Sequence, residues 1–350
     1  MSAAAPFHHL SGEFEEVHYF TDRASGLAAI VVVHDTSAGP ALGGVRRMRY
    51  PDEAAALADA CRLAAGMTRK VVLAELPAGG GKAVLLDHPG LDRKAAYAAL
   101  GERIERMGGR FCTAGDLGTG PADLAAMATT TRYVATPENG VAADLAEATA
   151  EGVFLAAGTA LDLLGVAEWS GQTIAIQGLG AIGLKLAMLA RRAGARVVAT
   201  DFDAERAGRA ADTMPLQLVE PDRIFDTPCD VFAPCAGGGI LDEASVARLR
   251  CRIVCGAAND QLATPAAGDL LAARHILYAP DLLVNAGAVI RGCGPALEGF
   301  EPPKDLSGIG CRLRDVMVES FNSRMAPHRV ALARAEAKLA QRRAARVRRR

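Results

Sequence analysis

The chain has 350 residues, half of them hydrophobic, which is material for two cores of ordinary size. Its 39 lysines and arginines nearly balance 40 aspartates and glutamates, so no global field draws it to nucleic acid or to a membrane surface. It holds no run of about 18 uncharged apolar residues. The opening "MSAAAPFHHLSGEFEE" lacks the basic and apolar regions of a secretory signal, so a cytoplasmic protein is expected. The eight cysteines form no CxxC pair and stand at no metal-ligand spacing, which fits free thiols rather than zinc or disulfides.

In chain order, "GLAAIVVVH" (26–34) reads as a buried strand after a turn-prone "DRASG". A helix is expected over 51–70, with Pro51 at its start and acids in its first turn. "VVLAEL" reads as a second strand running to the glycines of "PAGGGK", and "AVLL" as a third extended piece. An amphipathic helix over 92–109 is closed by glycines and followed by strand "RFCTAGDLG". This gives a mixed α/β first domain over 1–142.

A long alanine-rich helix (143–164) then leads into a second body, taken as 143–309. There a strand to Gln177, a glycine turn, a helix to about Ala193 and strand "RVVAT" alternate, with further strand signals at "CDVFAPCA", "CRIVCGAAN" and "HILYAP". The rhythm predicts a Rossmann-type, doubly wound parallel sheet. Residues 310–350 form a helical C-terminal segment expected to pack back on the first domain, and "RRAARVRRR" is read as a solvated tail.

Gly178, Gly180 and Gly183 make G-x-G-x-x-G between strand and helix, with Leu179, Ala181 and Ile182 between them. The first glycine permits the turn, the second admits a pyrophosphate, and the third lets helix and strand pack. Asp201 ends the next strand, where an acid accepts from ribose hydroxyls and repels a 2′-phosphate, favouring NAD over NADP. The "GGGK" of 79–82 is not a second phosphate loop, because Leu76 and Ala83 stand where a P-loop needs glycine and Ser/Thr. Lys82 instead reads as a lysine held at a strand end by a loop with almost no side chains, open to a small substrate. Lys70 and Asp116 lie at neighbouring element ends, where a second cation or burial would lower a lysine pKa and a carboxylate would oppose both. A surface Lys–Asp ion pair is the bland alternative.

"GPALGGVRRMRY", "GMTRK", "GGGKAV", "GDLGT", the glycine turn, "DVFAPCA", "GAANDQL" and "YAPDLLVNAGAVI" stand in the order found in the amino acid dehydrogenase superfamily. Over about residues 25–295 the chain resembles its leucine/phenylalanine/valine branch. The resemblance implies NAD-dependent, reversible oxidative deamination of an L-amino acid to its 2-oxo acid and ammonia, in a homo-oligomer assembled through the first domain. It implies that Lys82 activates water and handles protons at the α-carbon, and that Asp116 shuttles protons to the amino group. Lys70, helped by Asn285, would bind the α-carboxylate; Thr149 would lie near substrate and nicotinamide; Ala236 and Asn259 would line the cofactor site.

Where glutamate dehydrogenases of the superfamily carry a lysine before two glycines, this chain has Leu42. Burying an unpaired carboxylate there would cost at least several kcal/mol, so an apolar substrate side chain is expected, with leucine, valine, isoleucine, phenylalanine and tryptophan all open. Glu75, Pro77, Gly115 and Ala288 depart from the usual pattern without removing a catalytic group, and Glu75 would add a charge near Lys82. His8, His9, His18, His34, Met67, Cys112 and Cys235 are read as surface or packing residues. Two rival readings are a catalytically silent relative that binds NAD or an amino acid, and another two-domain dehydrogenase such as one acting on a folate. Retention of Lys70, Lys82, Asp116 and Asn285 together weighs against the first, and the "GPALGG" and "VNAGA" segments against the second.

Overall fold

A computed structural model describes residues 13–349 apart from 140, 142, 143, 298 and 304. His8, His9 and the expected junction at 142–143 lie outside the described residues. The chain divides into two units, one built mainly from residues up to 143 and the other from 144–291 and 303–335.

In the first unit, strands β1 (Glu16–Asp22), β2 (Leu27–Asp35) and β3 (Ala41–Met48) precede helix α1 (Glu53–Leu73). Strand β4 (Gly79–Leu86), helix α2 (Arg93–Arg106), strand β5 (Phe111–Gly115) and helix α3 (Pro121–Ala128) follow. The sheet order is β1-β2-β4-β3-β5, antiparallel through β1, β2 and β4 and parallel through β4, β3 and β5. Side-chain alternation sends Val31, Val33, Ala83 and Leu85 to the α2 face, and Ile30, Val32 and Val84 to the face that packs with Ala56, Ala60 and Ala64 of α1. The expected helices and the strand over 26–34 are present, while β1 and β3 were not foreseen.

"VVLAEL" is not a strand. Asp52 caps α1 by accepting from Ala55 N, and the helix runs through Lys70 to Leu73. Val71 and Val72 are buried, so their packing outweighs their β preference. The chain turns only at Glu75, which adopts a left-handed φ of 62°.

The second unit opens with helix α4 (Leu145–Leu163), capped by Asp144, and continues with β6 (Thr173–Gln177), α5 (Ala181–Arg192), β7 (Arg196–Thr200) and α6 (Ala204–Thr213). Then come β8 (Gln217–Leu218), β9 (Val231–Pro234), α7 (Glu243–Arg248), β10 (Ile253–Val254), α8 (Pro265–Ala273) and β11 (Leu277–Tyr278). Short helices α9 (Asp281–Val284) and α10 (Gly287–Gly292) lead to α11 (Ser307–Ser323) and α12 (Pro327–Arg349). All paired strands are parallel, in the order β11-β10-β9-β6-β7-β8, the doubly wound arrangement with its switch point beside β6.

From Glu336 onward α12 belongs to the first unit. Within the arginine-rich end, read as a solvated tail, Arg342, Arg343 and Arg346 are docked on the protein. Arg343 Nε donates to Asp35 Oδ2 at 2.8 Å, Arg346 to Glu15 at 2.6 Å, and Arg342 to the Ala78 carbonyl at 3.1 Å. Asp35 is buried, so an arginine from far along the chain neutralises a carboxylate that water does not reach. Among the described residues no helix is long and apolar enough to cross a membrane.

Candidate active site

Lys82 lies inside β4, opposite Val32 of β2, and not at a strand end. The three glycines before it belong to the same strand, and they are filled from within the protein. A Cβ on Gly79 would sit 1.7 Å from the Asp35 carbonyl oxygen, one on Gly80 2.2 Å from Thr68 N of α1, and one on Gly81 2.7 Å from the Val32 carbonyl oxygen. They bring helix and neighbouring strand close to β4, and do not hold a vacant loop open.

Lys82 is 5% exposed and its Nζ is 2.7 Å from Oδ2 of the half-buried Asp116, so the pair is largely screened from water, unlike a surface ion pair. Asp116 follows β5, and a Cβ on Gly44 of β3 would come 2.9 Å from the Asp116 Cβ. Burial lowers the Lys82 pKa below that of a free lysine, with Asp116 opposing. Burial alone would raise the Asp116 carboxyl, but the Lys82 ammonium and the Arg46 guanidinium outweigh it and hold it below the usual carboxylate range.

Arg46, Asp59 and Tyr50 were not singled out in the sequence. Arg46 Nε donates to Asp116 Oδ2 and its Nη1 to Asp59 Oδ2, both at 3.1 Å. The Tyr50 hydroxyl donates to the same Asp59 oxygen at 2.7 Å. Two-residue alternation from Gly44 would have put Arg46 on the Lys82 face had β3 been recognised. Leu42 is buried on that face, two residues before Gly44, with Gly80 opposite it on β4. Lys70 is buried in the last turn of α1. Glu75 is ion-paired to Lys338 at 2.5 Å.

Thr149 and Asn285 belong to the second unit. The Thr149 hydroxyl donates to the Leu145 carbonyl at 2.9 Å. Gly287, two residues past Asn285, packs so tightly on α4 that a Cβ would lie 1.9 Å from the Ala148 carbonyl oxygen and 3.0 Å from Thr149 N. Asn285 Nδ2 donates to the carbonyls of Ala257 and Ala258 and to Asn259 Oδ1, at 3.1, 3.4 and 2.9 Å. Its Oδ1 is buried with no donor. The open atom is an acceptor, which by itself suits an ammonium or an amide N–H. Turning the amide over would set its oxygen against two carbonyls.

The dinucleotide turn has the geometry its glycines imply. Gly178 has φ +102° and a Cβ there would strike Ala236, while one on Gly183 would lie 2.0 Å from the Gly178 carbonyl oxygen. Gly180 meets nothing within 4 Å and caps α5 with no side-chain bond, which leaves room and first-turn N–H groups beyond Ala181 and Ile182 for phosphate. Asp201 Oδ2 accepts from Leu179 N at 2.8 Å, and Arg206 contacts the same carboxylate at 3.2 Å. Asn259 and Ala236 are exposed. These residues fit a dinucleotide.

His34 is a core residue that shares a 2.8 Å hydrogen bond with Thr68 Oγ1, His18 pairs with Glu16, and Met67 is half-buried. All eight cysteines are free, and burial pushes the Cys112 and Cys235 thiols up to about 12.

A six-stranded parallel sheet with this turn, in a chain whose other, mixed-sheet unit holds a Lys–Asp ion pair, has the make-up of a nicotinamide-dependent dehydrogenase. The particular family follows from comparison. Residues 14–133 match the Glu/Leu/Phe/Val dehydrogenase dimerisation domain, and 140–204 and 203–293 match the Glutamate/Leucine/Phenylalanine/Valine dehydrogenase model. The chain belongs to this family of amino acid dehydrogenases. It is 39% identical over 282 residues to leucine dehydrogenase of Thermoactinomyces intermedius, covering 79% of this chain and 77% of that one. It is 40% identical over 302 residues to valine dehydrogenase of Streptomyces virginiae, covering 84% of each. Its fold is similar to the crystal structure of L-tryptophan dehydrogenase from Nostoc punctiforme, with TM-score 0.79, 31% identity and coverage of 94% and 97%.

Proposed function

We propose that the chain deaminates an apolar L-amino acid with NAD, converting amino acid, water and NAD+ to 2-oxo acid, ammonium, NADH and a proton. The observation that carries this reading is the pair of buried Lys82 and half-buried Asp116 at 2.7 Å. When bound at the glycine turn, a nicotinamide dinucleotide supplies the two-electron acceptor for the Cα–H bond. Lys82, its pKa lowered by burial, takes a proton from the water that attacks the resulting substrate iminium. Asp116, anionic beside Lys82 and Arg46, carries the proton that leaves with ammonia. Lys70 holds the α-carboxylate; Thr149 and Asn285 line the reacting end of the cofactor, and Asn285 Oδ1 accepts an N–H.

Leu42 supports an apolar side chain, since it is buried and itself offers a carboxylate no ion pair. Asp201 supports NAD, because it would repel a 2′-phosphate. Residues 1–142 serve as the substrate and oligomerisation domain, 143–309 as the NAD domain and 310–350 as a closing helical segment. Strand β1, at the edge of its sheet, supports a homo-oligomer, and eight free thiols support the cytoplasm. The test is a panel of the twenty L-amino acids with NAD or NADP at alkaline pH, following reduced cofactor. Turnover confined to apolar substrates with NAD is expected; silence across the panel with NAD bound would leave the catalytically silent reading.

A further inference from the structure

In the second unit, the end of the parallel sheet where the strands enter carries a cleft of about 700 Å³. It lies at Thr173, the first residue of β6, whereas the dinucleotide turn follows Gln177 at the last. Four residues of strand separate the two by about 13 Å.

Four arginines from four segments converge on this cleft: Arg191 from the last turn of α5, Arg196 from the start of β7, Arg223 from the 3₁₀ turn at Pro221–Asp226, and Arg250 from the loop before β10. Asp226 is the single carboxylate in the wall, and Arg248 already binds both its oxygens, at 3.1 and 2.9 Å. Arg196, Arg223 and Arg250 make no ion pair within 4.0 Å among the described residues, although the charges of Arg223 and Arg250 reach Asp226. Arg191 Nη1 donates to the Ala195 carbonyl at 2.7 Å, while its Nε is buried with no acceptor. Beside the guanidinium groups lie Pro215, Leu216 and Val219, an apolar wall for an organic group.

We propose that this cleft binds a small organic diphosphate of the nucleoside diphosphate class, at a site separate from the dinucleotide turn. The guanidinium forks match phosphate oxygens in pairs, and several of them spread over one cleft match two phosphate groups better than one. The volume lies within the range of small-molecule sites.

The test titrates ADP and, separately, pyrophosphate into the full chain by calorimetry, with NAD present in saturating excess. Expected is one site per chain for each probe, with a dissociation constant below about 1 mM that weakens as salt rises. It should weaken at least tenfold in Arg196→Ala/Arg250→Ala, while the dissociation constant for NAD, titrated alone, stays unchanged. Both side chains are exposed, so the variant should fold; Arg250→Ala alone should give a smaller loss in the same direction. Displacement of ADP by NAD, equal affinity in the variants, or no heat at about 5 mM probe would each overturn the proposal. None of these outcomes bears on the dehydrogenase reading, which the amino acid panel tests separately.

Discussion

Replacing Asp116 with asparagine removes the carboxylate 2.7 Å from Lys82 and keeps its size. In an effective dielectric of about 20, unit charges about 3 Å apart interact by roughly 5 kcal/mol. A pKa step of one corresponds to about 1.4 kcal/mol. Water entry and relaxation will absorb part of this, so the Lys82 pKa should fall by at least about one pH unit. The carboxylate favours the ammonium form, so removing it brings the neutral, proton-accepting amine to lower pH. The assay is kcat/KM for deamination against pH: the rising limb should move toward acid even though the rate itself drops. Arg46→Met gives the opposite sign, because Arg46 lowers the Lys82 pKa. An Asp116→Asn limb that stays in place or moves toward alkali would refute Lys82 as the titrating base.

Lys82→Ala should lower kcat by at least about three orders of magnitude, about 4 kcal/mol, with NADH affinity changed by less than about twofold; near wild-type turnover would remove its catalytic assignment. Asp201→Ser should raise NADP use relative to NAD by at least about tenfold in kcat/KM, since Arg206 then faces a 2′-phosphate without a competing carboxylate; an unchanged preference would end the ribose role. Arg343→Ala should lower unfolding free energy by about 1–2 kcal/mol in urea. The figure is discounted because Arg343 is 42% exposed, and because Ser37 still donates twice to the buried Asp35. Gly80→Ala should destabilise the fold by about 2–4 kcal/mol through its clash with α1, measured by thermal melting. Normal stability with only a raised KM would restore the glycines as substrate space.

The dinucleotide turn was legible because everything it needs is contiguous: a β-branched strand, three glycines and a helix lie within one short stretch, and their constraints act over a few residues. The helices were legible through the helical spacing of their apolar residues, the acids after Pro51, the glycines closing the second and the alanine richness of the third; their caps at Asp52, Asp92 and Asp144 were seen only in the structure. The sequence grouped Lys70, Lys82 and Asp116 at neighbouring element ends, but which lysine pairs with Asp116 was not readable, because 34 residues separate Lys82 from it and nothing local ties one to the other.

The sequence by itself determined the two-body organisation, the parallel rhythm of the second body, the place of the cofactor turn and the candidate lysines. Tertiary structure alone decided that Val71 and Val72 continue a helix, since burial against a sheet outweighs local preference. It also decided that the glycines before Lys82 are filled by backbone, that Arg46 shares the Asp116 carboxylate, and that the terminal arginines dock on Asp35 and Glu15. Each of these depends on which distant segments meet. Composition and periodicity carry no record of such meetings, because hydrogen bonds and charges act over ångströms in space whatever the distance along the chain.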